Sequence, residues 1–128
     1  MRTKETIPLE ADYDIEFDNL HLRTKEHHDY EVSIEANPNL IIDVSKDKKI
    51  ISFEILDATY FFDMKNTELV KSNFEINVVV TEDIIKLHFD VSFGETLNRN
   101  IKVVSSKALN DNQVDEGLYT YAYKAEIE

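Results

Sequence analysis

Leu40-Ile41-Ile42-Asp43-Val44 and Ile50-Ile51-Ser52-Phe53-Glu54-Ile55-Leu56 flank the polar segment Lys46-Asp47-Lys48-Lys49. Apolar side chains recur at every second position on both arms, the period of a strand and not of a helix. A four-residue loop over 46–49 pairs Val44 with Ile51, Ile42 with Phe53 and Leu40 with Ile55. Apolar then faces apolar at each core position, and a slip of one residue would turn one arm to the wrong face. The opposite face carries Asp43 and Glu54 diagonally, beside Ile41, Ser52 and Leu56.

The same alternation continues outward from this hairpin. Upstream, Tyr13, Ile15 and Phe17 alternate with Asp12, Asp14, Glu16 and Asp18, and Leu20 and Leu22 follow a turn at Asp18-Asn19. After the polar stretch 24–29, Val32 and Ile34 predict a third short strand that ends in the turn Asn37-Pro38-Asn39. Downstream, the alternation breaks over 57–72. Asp57 is an N-cap residue type, and Ala58, Phe61, Phe62, Lys65 and Leu69 have helical spacing, which predicts one short helix near residues 58–71. Strands then return. A two-residue turn at Glu82-Asp83 pairs Val80 with Ile85, Val78 with Leu87, Ile76 with Phe89 and Phe74 with Val91. Residues 101–105 and 118–127 read as two more strands, the last with Tyr119, Tyr121, Tyr123, Ala125 and Ile127 on one face. The expected fold is α+β, mainly β: an antiparallel meander of hairpins with one helix. The pair Asp18 to Leu22 and Asp83 to Leu87 is too loose a match to mark a repeat.

At 128 residues the chain has the length of a single compact domain, with a helix-plus-strand extension over 60–128. It has 2 glycines, Gly94 and Gly117, which excludes a phosphate-binding loop, a dinucleotide fingerprint and a nucleophile elbow. Its 26 acidic against 14 basic residues give a net charge of −12. Such a surface repels nucleic-acid phosphates and anionic lipid, and suits a basic protein partner. No cysteine is present, so disulfides and thiolate chemistry are excluded, which fits a cytoplasmic setting. No apolar leader follows Met1, and no apolar run approaches the ~20 residues of a membrane span.

Four constellations invite a chemical reading. Asp12, Asp14, Glu16 and Asp18 resemble a calcium loop but lack its glycine, Phe17 standing there, and its final glutamate, replaced by Arg23. On a strand they form a solvated acidic face. His21, His27 and His28 are the local histidine cluster and the candidate metal ligands, with exposed loop residues as the simpler account. His88 falls on the outer face of its strand. Asp43 and Glu54 have the spacing of a glycosidase pair, but nothing in the sequence supplies a cleft or raises a pKa, so pairing with the loop lysines is expected. Tyr119, Tyr121 and Tyr123 form a stripe that serves either the core or an interface.

Residues 39–44 and 53–59, Asn39-Leu40-Ile41-Ile42-Asp43-Val44 and Phe53-Glu54-Ile55-Leu56-Asp57-Ala58-Thr59, resemble the signature of the small YuzE-like proteins, a family of unknown function. Tyr13-Asp14, Asp18, Leu20, Leu22 and Arg23 are similar to that family's opening motif, so the resemblance spans 13–59. It departs where Asn39, Lys48 and Ser52 replace family glycines, and it implies a turn over 15–18 in place of a continued strand. It implies no activity, cofactor or catalytic residue. Members are suspected of acting as antitoxin-like partners of small toxins, which suits an acidic binder.

The expected function is therefore a non-enzymatic, protein-binding domain with no cofactor, a basic partner and Asp43, Glu54, Asp57, Tyr119, Tyr121 and Tyr123 as binding residues. The alternatives are a small-ligand or metal-binding domain, or a hydrolase, using Asp43 and Glu54 or His21, His27 and His28. A homodimer through strand edges or the tyrosine face is a third.

Overall fold

The computed structural model describes residues 5–93 and 100–125. Among them the chain forms nine strands and two short helices. The strands are β1 (Thr6–Asp14), β2 (Asn19–Thr24), β3 (Tyr30–Asn37), β4 (Leu40–Ser45), β5 (Ile50–Ile55), β6 (Asn73–Val80), β7 (Ile84–Phe93), β8 (Asn100–Leu109) and β9 (Gly117–Tyr123). The helices are α1 (Ala58–Phe62) and α2 (Asn66–Leu69). All nine strands join one sheet in the order β3-β4-β5-β2-β1-β9-β6-β7-β8. The sheet curls until its outer strands β3 and β8 approach, and Asn37 Nδ2 donates to Ser106 Oγ (2.9 Å) across that seam. The result is a nearly closed, mainly β barrel.

The barrel is mixed, where the pattern predicts an antiparallel meander. β1 pairs antiparallel with β2 along Leu9–Asp14, but its start, Thr6 to Pro8, runs parallel to Thr120–Ala122 of β9. Pro8 lacks an N–H and so cannot extend that ladder as a donor. Short-range patterning cannot reveal such a pairing, because the two strands lie at opposite ends of the chain.

Registers within hairpins follow the alternation closely. The β6–β7 ladder has the four predicted pairs, and Thr81 N closes its turn on Ile84 O at 2.8 Å. In β4–β5, Leu40↔Ile55 and Ile42↔Phe53 hold, but Val44 pairs with Ile50, not Ile51. A bulge beside Asp43 absorbs the extra residue. It lets Ile50 join the core while Ile51 faces outward.

The single expected helix is two helices. Ala58 and Phe62, one turn apart, are buried in α1, and Leu69 is buried in α2. Between them Asp63 is left-handed (φ 53°) and Lys65 is extended, which stops the first helix after five residues. Lys65 N then donates to Glu68 Oε1 (2.9 Å) and starts the second.

Inward side chains fill the barrel. Phe53 and Phe89 meet edge to face at 6.1 Å between ring centres, and Phe53 meets Tyr121 at 5.0 Å. Phe61 and Phe62 of α1 also stack on Phe89 and close one end. At the other end Val114 is buried, and Asn110 holds its loop by hydrogen bonds with Thr81 O, Val114 O and Val114 N. The C-terminal strand is shorter than 118–127 suggested. Ala125 is buried beyond it, and Ile127 lies outside the described residues. β8 is longer than expected.

Candidate functional site

Residues 15–18 form a turn, as the resemblance implies, so the strand does not continue to Asp18. Asp14 Oδ1 accepts from Glu16 N (3.1 Å) and Phe17 N (3.2 Å), which folds the turn back. Asp18 then adopts φ 57°, a conformation Asp tolerates better than most residues. Its carboxylate turns away from the acidic row. It accepts from Tyr13 Oη (2.6 Å), Thr59 Oγ1 (2.5 Å) and Thr59 N (3.1 Å), while Ala58 N donates to Asp18 O (2.9 Å). Asp18 thus caps α1 from another part of the chain. Asp57, the expected cap, is itself left-handed and makes no side-chain cap bond. Burial pushes the Asp18 carboxyl up, but the bonds from Thr59 and Tyr13 outweigh it and hold the group below its usual range. Burial, then the bond to Asp18 and its charge, push the Tyr13 phenol up, so it stays a donor.

This knot joins two segments that carry exposed apolar side chains. Phe17 precedes Asp18 and is 67% exposed; Tyr60 follows Thr59 and is 79% exposed; Ile15 is 56% exposed. Asp12, Asp14, Glu16 and Asp57 are exposed beside them in sequence. Alternation hides these apolar residues by assigning Ile15 and Phe17 to the core; the turn removes them from it.

The outer face of β1–β5 carries two cross-strand rows. One runs Glu10, Arg23, Ser52, Asp43, Ser33; the next runs Asp12, His21, Glu54, Ile41, Glu35. Asp43 and Glu54 are diagonal neighbours, as the hairpin register requires. Asp43 accepts from Ser33 Oγ (2.6 Å) and Ser52 Oγ (2.5 Å), and not from the loop lysines. Those lysines pair elsewhere: Lys48 with Glu31, and Lys49 with Asp115 at 2.7 Å. The hydrogen bond from Lys49 to Asp115 raises the lysine above its usual range.

A shallow groove of about 340 Å³ lies on this face. His21, His27, His28 and Asp43 all line it, with Arg23 and Tyr30; Glu54 lies outside. His27 is exposed beside Asp29 (3.5 Å), and His28 sits between Glu26 and Asp47. His21 Nε2 is shielded from solvent and has no hydrogen-bond partner among the described residues. Among those residues, no three His, Asp or Glu side chains are grouped so as to hold a metal ion.

The tyrosine stripe faces inward. Tyr121 is buried and donates to Ile50 O (2.7 Å), and burial pushes its phenol well up. Tyr119 and Tyr123 pack half-buried against the core, and Tyr119 Oη donates to Asp115 O (2.9 Å). Of the sequence-predicted residues, Asp57 lies by the knot, Asp43 and the histidines share the groove, and the tyrosines line the interior.

Residues 11–58 match the model of a family described as a protein of unknown function, DUF2283. The match overlaps the segment 13–59 that carries the YuzE-like resemblance, and it supports the unknown function without that family name. No curated protein and no solved structure matches the chain. Tyr13, Asp18, Asp43, Glu54 and Asp57 lie inside the matched segment; Thr59 is just beyond it, and β6–β9 lie outside. Among the described residues, no helix is long and apolar enough to cross a membrane.

Proposed function

We propose that this chain is a non-enzymatic, protein-binding β-barrel that receives a basic partner at the exposed side chains of Ile15, Phe17 and Tyr60. The observation that carries the reading is the exposure of two aromatic rings on either side of the Asp18–Thr59 bonds. Aromatic side chains bury a large area for few rotatable bonds, and they dominate interface energies. The carboxylates of Asp12, Asp14, Glu16 and Asp57 form the rim that steers a basic surface onto them. A small basic toxin of the ribonuclease type is a partner of this chemistry, with this chain as its antitoxin-like cover.

The test is affinity capture from the source cytosol with wild-type protein and the double variant Phe17→Ser/Tyr60→Ser. The expected result is a basic protein retained by wild type, released by about 0.5 M salt and lost in the variant. Equal capture by both proteins would overturn the reading.

A small-ligand site in the β1–β5 groove is the second reading, favoured by the unpartnered His21 Nε2. Isothermal titration with Zn2+ and metal analysis of the purified protein test its metal form. Absence of binding above background would remove that form.

A further inference from the structure

The outer face of β6–β8 holds a cationic saddle that shares no lining residue with the groove on β1–β5. Lys86 of β7 and Lys107 of β8 stand directly opposite each other in the ladder. Like charges so placed repel, and neither lysine makes an ion pair among the described residues, although the chain has 26 acidic side chains. The next row pairs His88 with Ser105, and His88 Nδ1 and Ser105 Oγ are 3.0 Å apart. Val79 lies opposite Lys86, and Asn77 opposite His88. These six side chains line an open concavity of about 580 Å³, within the range of small-molecule sites. Two carboxylates approach from the row beyond the saddle: Asp90 Oδ1 is 3.4 Å from His88 Nε2, and Glu75 Oε2 accepts from Asn77 Nδ2 (3.3 Å), both on the side away from the lysine pair.

We propose that this saddle binds a small organic anion, with its phosphate or carboxylate oxygens between the Lys86 and Lys107 ammonium groups. An anion there removes the repulsion between the lysines and accepts hydrogen bonds from both. Val79 provides an apolar wall for the rest of the molecule. Asp90 lies against His88 Nε2 and Ser105 Oγ against Nδ1, so the ring is fixed at the edge of the saddle and the two lysines remain the saddle's donors to an anion. The overall charge of −12 selects for size. A compact anion feels mainly the two nearby lysines, since more distant charges are screened over ~8 Å at physiological salt. A polyanion such as nucleic acid would extend over the acidic remainder of the surface and be repelled.

The test is a two-dimensional amide NMR titration of the full chain with inorganic pyrophosphate in one arm and citrate in the other. A third arm uses a single-stranded oligonucleotide. Variants are Lys86→Gln/Lys107→Gln and, as a control for general charge, Lys71→Gln/Lys124→Gln. Saturable shifts confined to residues 77–79, 86–88 and 105–107 are expected with at least one small anion. The tighter of the two arms assigns phosphate or carboxylate. Affinity should fall by about tenfold or more in the first variant, the loss of ~1.4 kcal/mol of charge-assisted contact, and stay unchanged in the second. Shifts spread over all lysine-bearing segments, equal affinity in both variants, or tighter binding of the oligonucleotide would each overturn the proposal.

Discussion

Replacing Asp18 removes the acceptor for three donors at once: Tyr13 Oη, Thr59 Oγ1 and Thr59 N. A hydrogen bond contributes about 1 kcal/mol net, and more when the acceptor is charged. Partial exposure offsets that excess, so the three together hold about 3 kcal/mol. Alanine also fits φ 57° poorly, at a further cost of about 1 kcal/mol. Asp18→Ala is therefore expected to lose about 4 kcal/mol, a large part of the 5–15 kcal/mol typical of a domain. Asp18→Asn keeps the shape, the left-handed tolerance and one acceptor, and should lose about 1–2 kcal/mol. Urea unfolding at pH 7 separates the two. The pH dependence checks the cause. The folded carboxyl lies below its unfolded value, so its contribution is complete above about pH 4 and disappears as pH falls through the lower folded value. The gap between wild type and Asp18→Asn should therefore narrow in acid. Equal stability of all three proteins at pH 7, or a gap that widens as the pH falls, would refute the assignment of Asp18 as the cap of α1.

Three further outcomes follow from packing and backbone geometry. Phe89→Ala removes the ring on which Phe53, Phe61 and Phe62 all stack; calorimetry should show a loss of about 3–5 kcal/mol, and a loss under 1 kcal/mol would contradict the packing. Tyr121→Phe leaves Ile50 O without its buried donor, costing about 1–2 kcal/mol at pH 7. Because the folded phenol titrates above its unfolded value, wild-type stability should fall as pH rises past about 10, and the variant should show a shallower fall in the same denaturation series. Lys48→Gly relieves a left-handed lysine (φ 66°) at the cost of an exposed ion pair with Glu31. Thermal melting should show a net gain of up to about 1 kcal/mol, and a lower melting temperature would mean that the pair outweighs the backbone.

The hairpins were legible because alternation and short turns are local: every predicted β6–β7 pair is present, and two of three in β4–β5. The third failed because a bulge changes register without changing composition. The barrel was not legible, since the β1–β9 pairing that unites its halves joins residues 6–8 to 120–122, and its closing seam brings β3 against β8. The left-handed residues were also hidden. With 2 glycines in the chain, positive φ falls on Asp18, Lys48, Asp57, Asp63 and Gln113, among others. Asn39, a residue type that tolerates a left-handed form and stands where the family has glycine, has no positive φ and donates from Nδ2 to Leu56 O. Of the candidate residues, Asp43 and Glu54 were placed correctly on one face, because that follows from register alone. The cap formed by Asp18 was missed, because its partner Thr59 is 41 residues away.

The barrel interior has a consequence for the segment 11–58. Its strands present Leu20, Leu22, Leu40, Ile42, Phe53 and Ile55 to the core, and β6–β9 answer with Phe89 and Tyr121. A polypeptide that stopped at residue 58 would leave this oily sheet face bare and would need a second chain to cover it. Here that cover is tethered in the same molecule at one-to-one stoichiometry. Dilution cannot separate the two.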